Sequence, residues 1–221
     1  MRRPFVWQAV FVYVAAIAFW QACAPQGFSA EPSCCGPISS QGRRLEAVLD
    51  SMNVEALWLA HEHINWETGE PDKGADYAGP GRSTHCSAFA AAVGKKLGVY
   101  MLRPPEHGQI LLANAQAQWF RTAGGKEKGW REVGTAQEAQ SMANQGNLAV
   151  VVYESPDPHK PGHVAIVRPA HRLERLLNQN GPEITQAGQK NYMRTSTKVG
   201  FQAHPGAWPD GVRYYAHAIE R

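Results

Sequence analysis

Two apolar runs lying close together in the chain limit its fold more than any other feature. "NLAVVVYE" (147–154) and "GHVAIVRP" (162–169) read as strands, and the turn-rich "SPDPHKP" between them reads as their connection. "EITQAG" (183–188) and "VRYYAHA" (212–218) read as two more. The upstream sequence has a different period. Leu45, Val48, Leu49 and Met52 recur at helical spacing, and Asn53 is placed to cap a continuation through Leu57 to His61. Pro104 and Pro105 introduce a helical segment over 108–120, and Thr135 with Glu138 forms a capping box for another that ends near Gly146. Helices first and strands afterwards predict an α+β fold: N-terminal helices packed on one face of a C-terminal antiparallel sheet.

The first thirty residues stand apart. Arg2 and Arg3 precede an apolar run from Ala9 to Trp20, followed by "QACAPQGFSAEP", which is the layout of a bacterial export signal. The run is short of the roughly 20 residues that a membrane span needs, so 1–30 is read as a signal peptide, with an uncleaved anchor as the alternative and lipidation at Cys23 as a minor option. Any contact with a membrane is expected only through this segment. Its removal takes away two arginines and no acid, so the formal charge falls from +3 to +1, which does not recommend a nucleic-acid partner. Residues 31–42 read as a Pro, Ser and Gly rich linker, and 43–221 as one folded domain. Within the linker, Cys34 and Cys35 are candidates for a disulfide, within the chain or between chains, in the oxidising compartment an exported protein meets. Cys86 is left without an obvious partner.

Cys86 stands in "GRSTHCSAFAAAVGKKLGV" (81–99), where Phe89, Ala90, Val93 and Leu97 mark the inward stripe of a helix that Cys86 begins. Ser83 or Thr84 is a suitable cap. A first-turn position exposes a thiol to unpaired N–H groups and to the positive end of the helix dipole, both of which favour a thiolate nucleophile. A free cysteine is also a good small core residue, so this segment alone leaves both roles open.

A cysteine nucleophile needs a base. His163 opens the second apolar strand after a Pro-Gly turn and alternates with Ala165 and Val167; if that face meets the Cys86 helix, a Cys–His pair results. The base needs an acceptor to fix its tautomer, and Gln186 shares a strand face with Ile184, with Asn191 in reserve.

"THCSAF" followed by "GHVAIV" and then by a strand bearing an amide resembles the bacterial cell-wall cysteine amidases of NlpC type and CHAP type. The likeness spans Ser83 to about Tyr192. It implies a papain-like core, Cys86 as nucleophile, His163 as base, Gln186 as third residue, no cofactor, and an amide bond in peptidoglycan or a related peptide as substrate. The chain departs from that pattern twice: a glutamine stands where the family usually has His, Asn, Asp or Glu, and His85 stands where the NlpC group often has Asp. A glutamine orients an imidazole without stabilising its cation by charge.

An oxyanion hole would use the Cys86 N–H with a second donor, for which Asn65 and His85 are candidates. Trp66, Asn114, Gln116 and Trp119 suit sugar or peptide contacts, although Trp58 and Trp119 also fit the core. His61, His63, Glu67 and His85 raise a zinc alternative, but the spacing is not HExxH, and two histidines two apart on a helix point to different faces, so no metal is expected. An acyltransferase or lipid amidase on the same dyad, and a non-catalytic cell-wall binding module, are the remaining alternatives.

Overall fold

The computed structural model describes Met1 and residues 33–220. The chain divides after Ala30, and the unit Glu31–Arg221 holds every element discussed below. The expected signal peptide lies outside the described residues. Among those described, no helix is long and apolar enough to cross a membrane.

The unit is α+β. A six-stranded antiparallel sheet runs in the order β2 (Arg131–Val133), β8 (Val212–His217), β3 (Leu148–Tyr153), β4 (His163–Val167), β6 (Glu183–Gln186) and β7 (Tyr192–Ser196). β3 and β4, the two apolar runs, are the central hairpin, with Tyr153 opposite His163 and Val151 opposite Ala165. Every residue of both is buried, because both faces of the sheet are covered. On one face Val150, Val152, Val164 and Ile166 pack with α2 (Cys86–Lys96) and α3 (Leu112–Phe120). On the other, Ala149, Val151, Ala165 and Val167 pack with Ala139 and Ala143 of α5 (Ala136–Asn144) and with Phe201. The expectation of helices on a single face is therefore corrected: two central strands buried on both faces have two faces to remove from water, and α5 covers the second.

α2 also differs from the amphipathic helix that its sequence suggests. Cys86 to Gly94 are all buried, and the small side chains of Ala88, Ala90, Ala91 and Ala92 let the helix lie close to its neighbours on every side. Its cap residue is His85, not Ser83 or Thr84, and no side chain caps it. The continuation expected over 53–61 is a chain of turns. Asn53, Trp58 and His61 all have positive φ, and Trp58 is instead a core residue whose ring lies against Gly69, where a Cβ would come within 2.3 Å of it. α3 begins at Leu112 rather than 108, since Leu111 is left-handed. α5 follows its capping box closely: Thr135 Oγ1 accepts from the Glu138 N–H at 3.1 Å, and Glu138 accepts from the Gly134 N–H at 3.2 Å.

The stretch read as a linker is ordered against the body. Cys34 and Cys35 are joined by a disulfide, β1 (Ser33–Cys34) pairs with β5 (Arg172–Leu173), and α1 (Ser40–Ser51) starts three residues before Arg43, capped by Ser39. Asn144, wholly buried, donates to the carbonyls of Gly36 and Ala170 at 3.1 Å each and so ties that stretch to α5 and the sheet.

Candidate active site

The site is built at the start of β4. Cys86 is the first residue of α2, 5% exposed and unpaired, and its thiol lies against the Val164 amide, one residue from His163. Burial pushes the thiol pKa above its ordinary value, and hydrogen bonding from the Val164 and Ser87 amides opposes that rise. In the resting protein the group is a neutral thiol.

His163 and Gln186 are each 3% exposed, and His163 Nε2 lies 2.8 Å from Gln186 Oε1. The orientation of the carboxamide is set by its other end, where Gln186 Nε2 donates to the Lys190 carbonyl at 3.2 Å. The ring must then donate from Nε2, which leaves Nδ1 as a lone-pair acceptor. Burial lowers the His163 pKa to about 4, against a smaller upward pull from the Gln186 hydrogen bond. The imidazole is therefore neutral at neutral pH and able to take a proton at Nδ1.

The shared face expected for Cys86 and His163 is not what the sheet produces. Val164 and Ile166 belong to the Cys86 side, whereas His163 follows Ala165 and Val167 to the other side, where its ring meets Phe201 edge-on at 4.6 Å. Strand alternation forces this, because α2 packs on the odd neighbours of the histidine rather than on its own parity. Cys86 and His163 thus reach the same end of β4 from opposite faces, and no hydrogen bond joins them among the described residues. Two cavities flank the junction. One, of about 200 Å³, is lined by Cys86, Ser87, Gln109, Ile110 and Gly162; the other, of about 300 Å³, by His163, Gln186, Lys190 and His204; Thr84 and Pro161 belong to both walls.

The other expected site residues are engaged elsewhere. Asn191 accepts from the Gly188 N–H at 2.9 Å and donates to the Val54, Leu57 and Trp58 carbonyls at 2.7, 2.8 and 3.2 Å, which locks the β6–β7 loop onto the segment after α1 rather than onto the imidazole. Asn65 Oδ1 accepts from the Glu67 and Thr68 amides and closes its own turn. Trp66 lies beneath the Lys95 ammonium, 5.4 Å from it, away from both cavities. His85 is 1% exposed; its Nε2 donates to the Glu62 carbonyl at 2.9 Å and burial lowers its pKa, so it is neutral and supplies no donor to the Cys86 cavity. Asn114 is a brace: it donates to the Lys160 carbonyl at 2.9 Å and accepts from the Ser155 N–H at 3.0 Å, holding the loop that delivers Gly162 and His163. Gln116, wholly buried, ties α3 to the Ser87 and Leu102 carbonyls.

The residues of the zinc alternative disperse. His63 pairs with Asp72, Glu67 with Lys95 at 2.5 Å, and among the described residues no group of three or more His, Cys, Asp or Glu side chains converges on a metal position. The sequence reading missed His204, whose ring stacks on that of His163 at 4.9 Å and 22°. No local pattern marks it, since it comes from a turn between α7 (Thr197–Gly200) and β8. No protein-family model matches the chain, and no curated protein matches it.

Proposed function

We propose that the chain is a papain-like cysteine amidase that cleaves an amide bond in peptidoglycan peptides through Cys86, His163 and Gln186. The observation that carries this reading is the buried His163–Gln186 hydrogen bond beside an unpaired cysteine at the first position of a buried helix. A neutral imidazole with its Nε2–H held and its Nδ1 open is a general base waiting for a proton, and the neutral thiol at the same end of β4 is the group that needs one removed.

In this mechanism substrate occupies the Cys86 cavity with its carbonyl over Sγ. Proton transfer from the thiol to His163 Nδ1 accompanies attack of sulfur on the carbonyl carbon, across the wall of Thr84 and Pro161 that the two cavities share; hydrogen bonds of this kind tighten when substrate binds. The tetrahedral oxyanion is held by the Cys86 N–H, at the helix start, and by Gln109, the one carboxamide among the residues lining that cavity. Collapse breaks the C–N bond, His163 returns its proton to the departing amine, and water, deprotonated by the same ring, hydrolyses the thioester. Gln186 keeps the tautomer through both halves without carrying charge. The N-terminal segment would export the enzyme to the compartment that contains its substrate, as a mature chain lacking roughly its first 30 residues.

The test is a digest of purified sacculi with the wild type and Cys86→Ala side by side, the products separated as muropeptides and their new free amines counted. The wild type should release peptide and the variant none. Equal release by both would reject Cys86 as nucleophile, and binding to sacculi without release by either would favour the non-catalytic module.

A further inference from the structure

His204 is not accounted for by the nucleophile, the base or the amide that orients the base. It lies in the turn after α7, its ring stacked on His163 at 4.9 Å between centroids and 22° between planes. It is itself held on another side: Tyr153, the cross-strand partner of His163, lies 5.9 Å away ring to ring, and the Tyr153 hydroxyl donates to the Pro205 carbonyl at 3.1 Å, fixing the residue next to His204. The His163 ring is thus gripped by the Phe201 ring edge-on, by the Gln186 carboxamide at Nε2, and by His204 across its face.

We propose that His204 is a positioning residue for the base: its ring, stacked on His163 and anchored through Tyr153, fixes the imidazole plane and shuts water from that face, so that His163 works as a neutral base with Nδ1 free. The inference rests on the amidase reading above. Among the described residues that line their cavity, none is a carboxylate that could stabilise a cation. Those that titrate or carry charge are Cys86 at the start of α2, Tyr153 of β3, Lys190 of the β6–β7 loop and Tyr192 of β7. Burial takes both imidazoles down to about 4, and a proton on His163 would oppose one on His204.

The experiment uses the full chain with ¹³C-labelled histidine, following the His163 ring by NMR from pH 3.5 to 8 in the wild type, His204→Ala and His204→Phe, with kcat/KM on sacculus-derived muropeptides measured over the same range. His204→Ala should wet the exposed face of His163, raise its titration midpoint by about one unit or more toward the ordinary value near 6.5, and move the acid limb of kcat/KM upward by the same amount. At pH 7 its kcat/KM should fall about tenfold. His204→Phe keeps a flat apolar ring on the same face, so it should restore the low midpoint and kcat/KM to within about threefold of wild type. A purely architectural His204 would lower activity equally at every pH and leave the His163 midpoint unmoved, and that result overturns the proposal. If His204→Ala fails to fold, His204→Gln removes the ring at a volume nearer to that of histidine and is read the same way. His163→Ala decides the reading beneath: full activity in that variant, together with the shifted midpoint in His204→Ala, would reject the base while leaving the stacking effect intact.

Discussion

Gln186 Oε1 meets His163 Nε2 at 2.8 Å while Gln186 Nε2 is held by the Lys190 carbonyl, so one carboxamide, fixed at both ends, decides which nitrogen of the imidazole carries the proton. A carboxylate in that position would also favour a protonated ring. A carboxamide favours only the tautomer, which suits the base of the proposed mechanism, neutral until a substrate arrives.

Gln186→Ala should therefore lower turnover by about tenfold to a few hundredfold without abolishing it, because nucleophile and base remain, whereas Cys86→Ala should remove it entirely. Asn191→Ala makes the contrast. Its side chain bonds three carbonyls and one amide away from the ring, so its loss should appear as about 1–3 kcal/mol of stability in urea unfolding, with turnover of the folded fraction changed less than in Gln186→Ala.

Gly162→Ala should damage the site from behind. A Cβ at this position would stand 2.2 Å from the Tyr153 carbonyl oxygen and 2.4 Å from Asn114 Oδ1, so the backbone that presents His163 has to move. A loss of about 1–3 kcal/mol is expected from the overpacking. Turnover should fall along with it, and unfolding curves paired with kcat on the folded protein will separate the two effects.

Stability should fall as the solution is acidified from about pH 6.5 to 4. The unfolded imidazole of His163 takes up its proton near pH 6.5 and the folded one near 4, so through that window the unfolded state holds more protons and each step down in pH favours it. The contribution is fully present above 6.5 and lost as pH approaches 4, on the order of 3 kcal/mol for His163, with His204 adding in the same direction. Urea midpoints across this range should slope accordingly for the wild type and more gently for His163→Gln.

Alkylation will report the state of the Cys86 thiol. Because burial holds the Cys86 thiol above its ordinary pKa, iodoacetamide should inactivate slowly at pH 7 and faster as pH rises, while a chelator leaves activity unchanged. Mass spectrometry of the modified protein should find the label on Cys86, the free cysteine among the described residues. Rapid labelling at pH 7 would instead mean that a thiolate already exists in the resting protein.

Much of this was legible from local pattern alone. The two apolar runs read as strands, the Thr135–Glu138 box announced its helix, and the spacing of Phe89, Ala90 and Val93 placed Cys86 at a helix start, because hydrogen-bonding period and capping chemistry are properties of neighbouring residues. Gln186 could be assigned a face from its alternation with Ile184 for the same reason. What alternation cannot say is which face another element will choose to cover. Only the packed structure put α2 against Val164 and Ile166, sent His163 to the side of Phe201, and laid α5 over that second face. Only the fold, likewise, brought His204 from a turn some forty residues downstream onto the His163 ring, and gave the carboxamide of Asn191 to three carbonyls of the segment after α1 instead of to the imidazole. These are long-range pairings, and their energies depend on surfaces that do not exist until the sheet has formed.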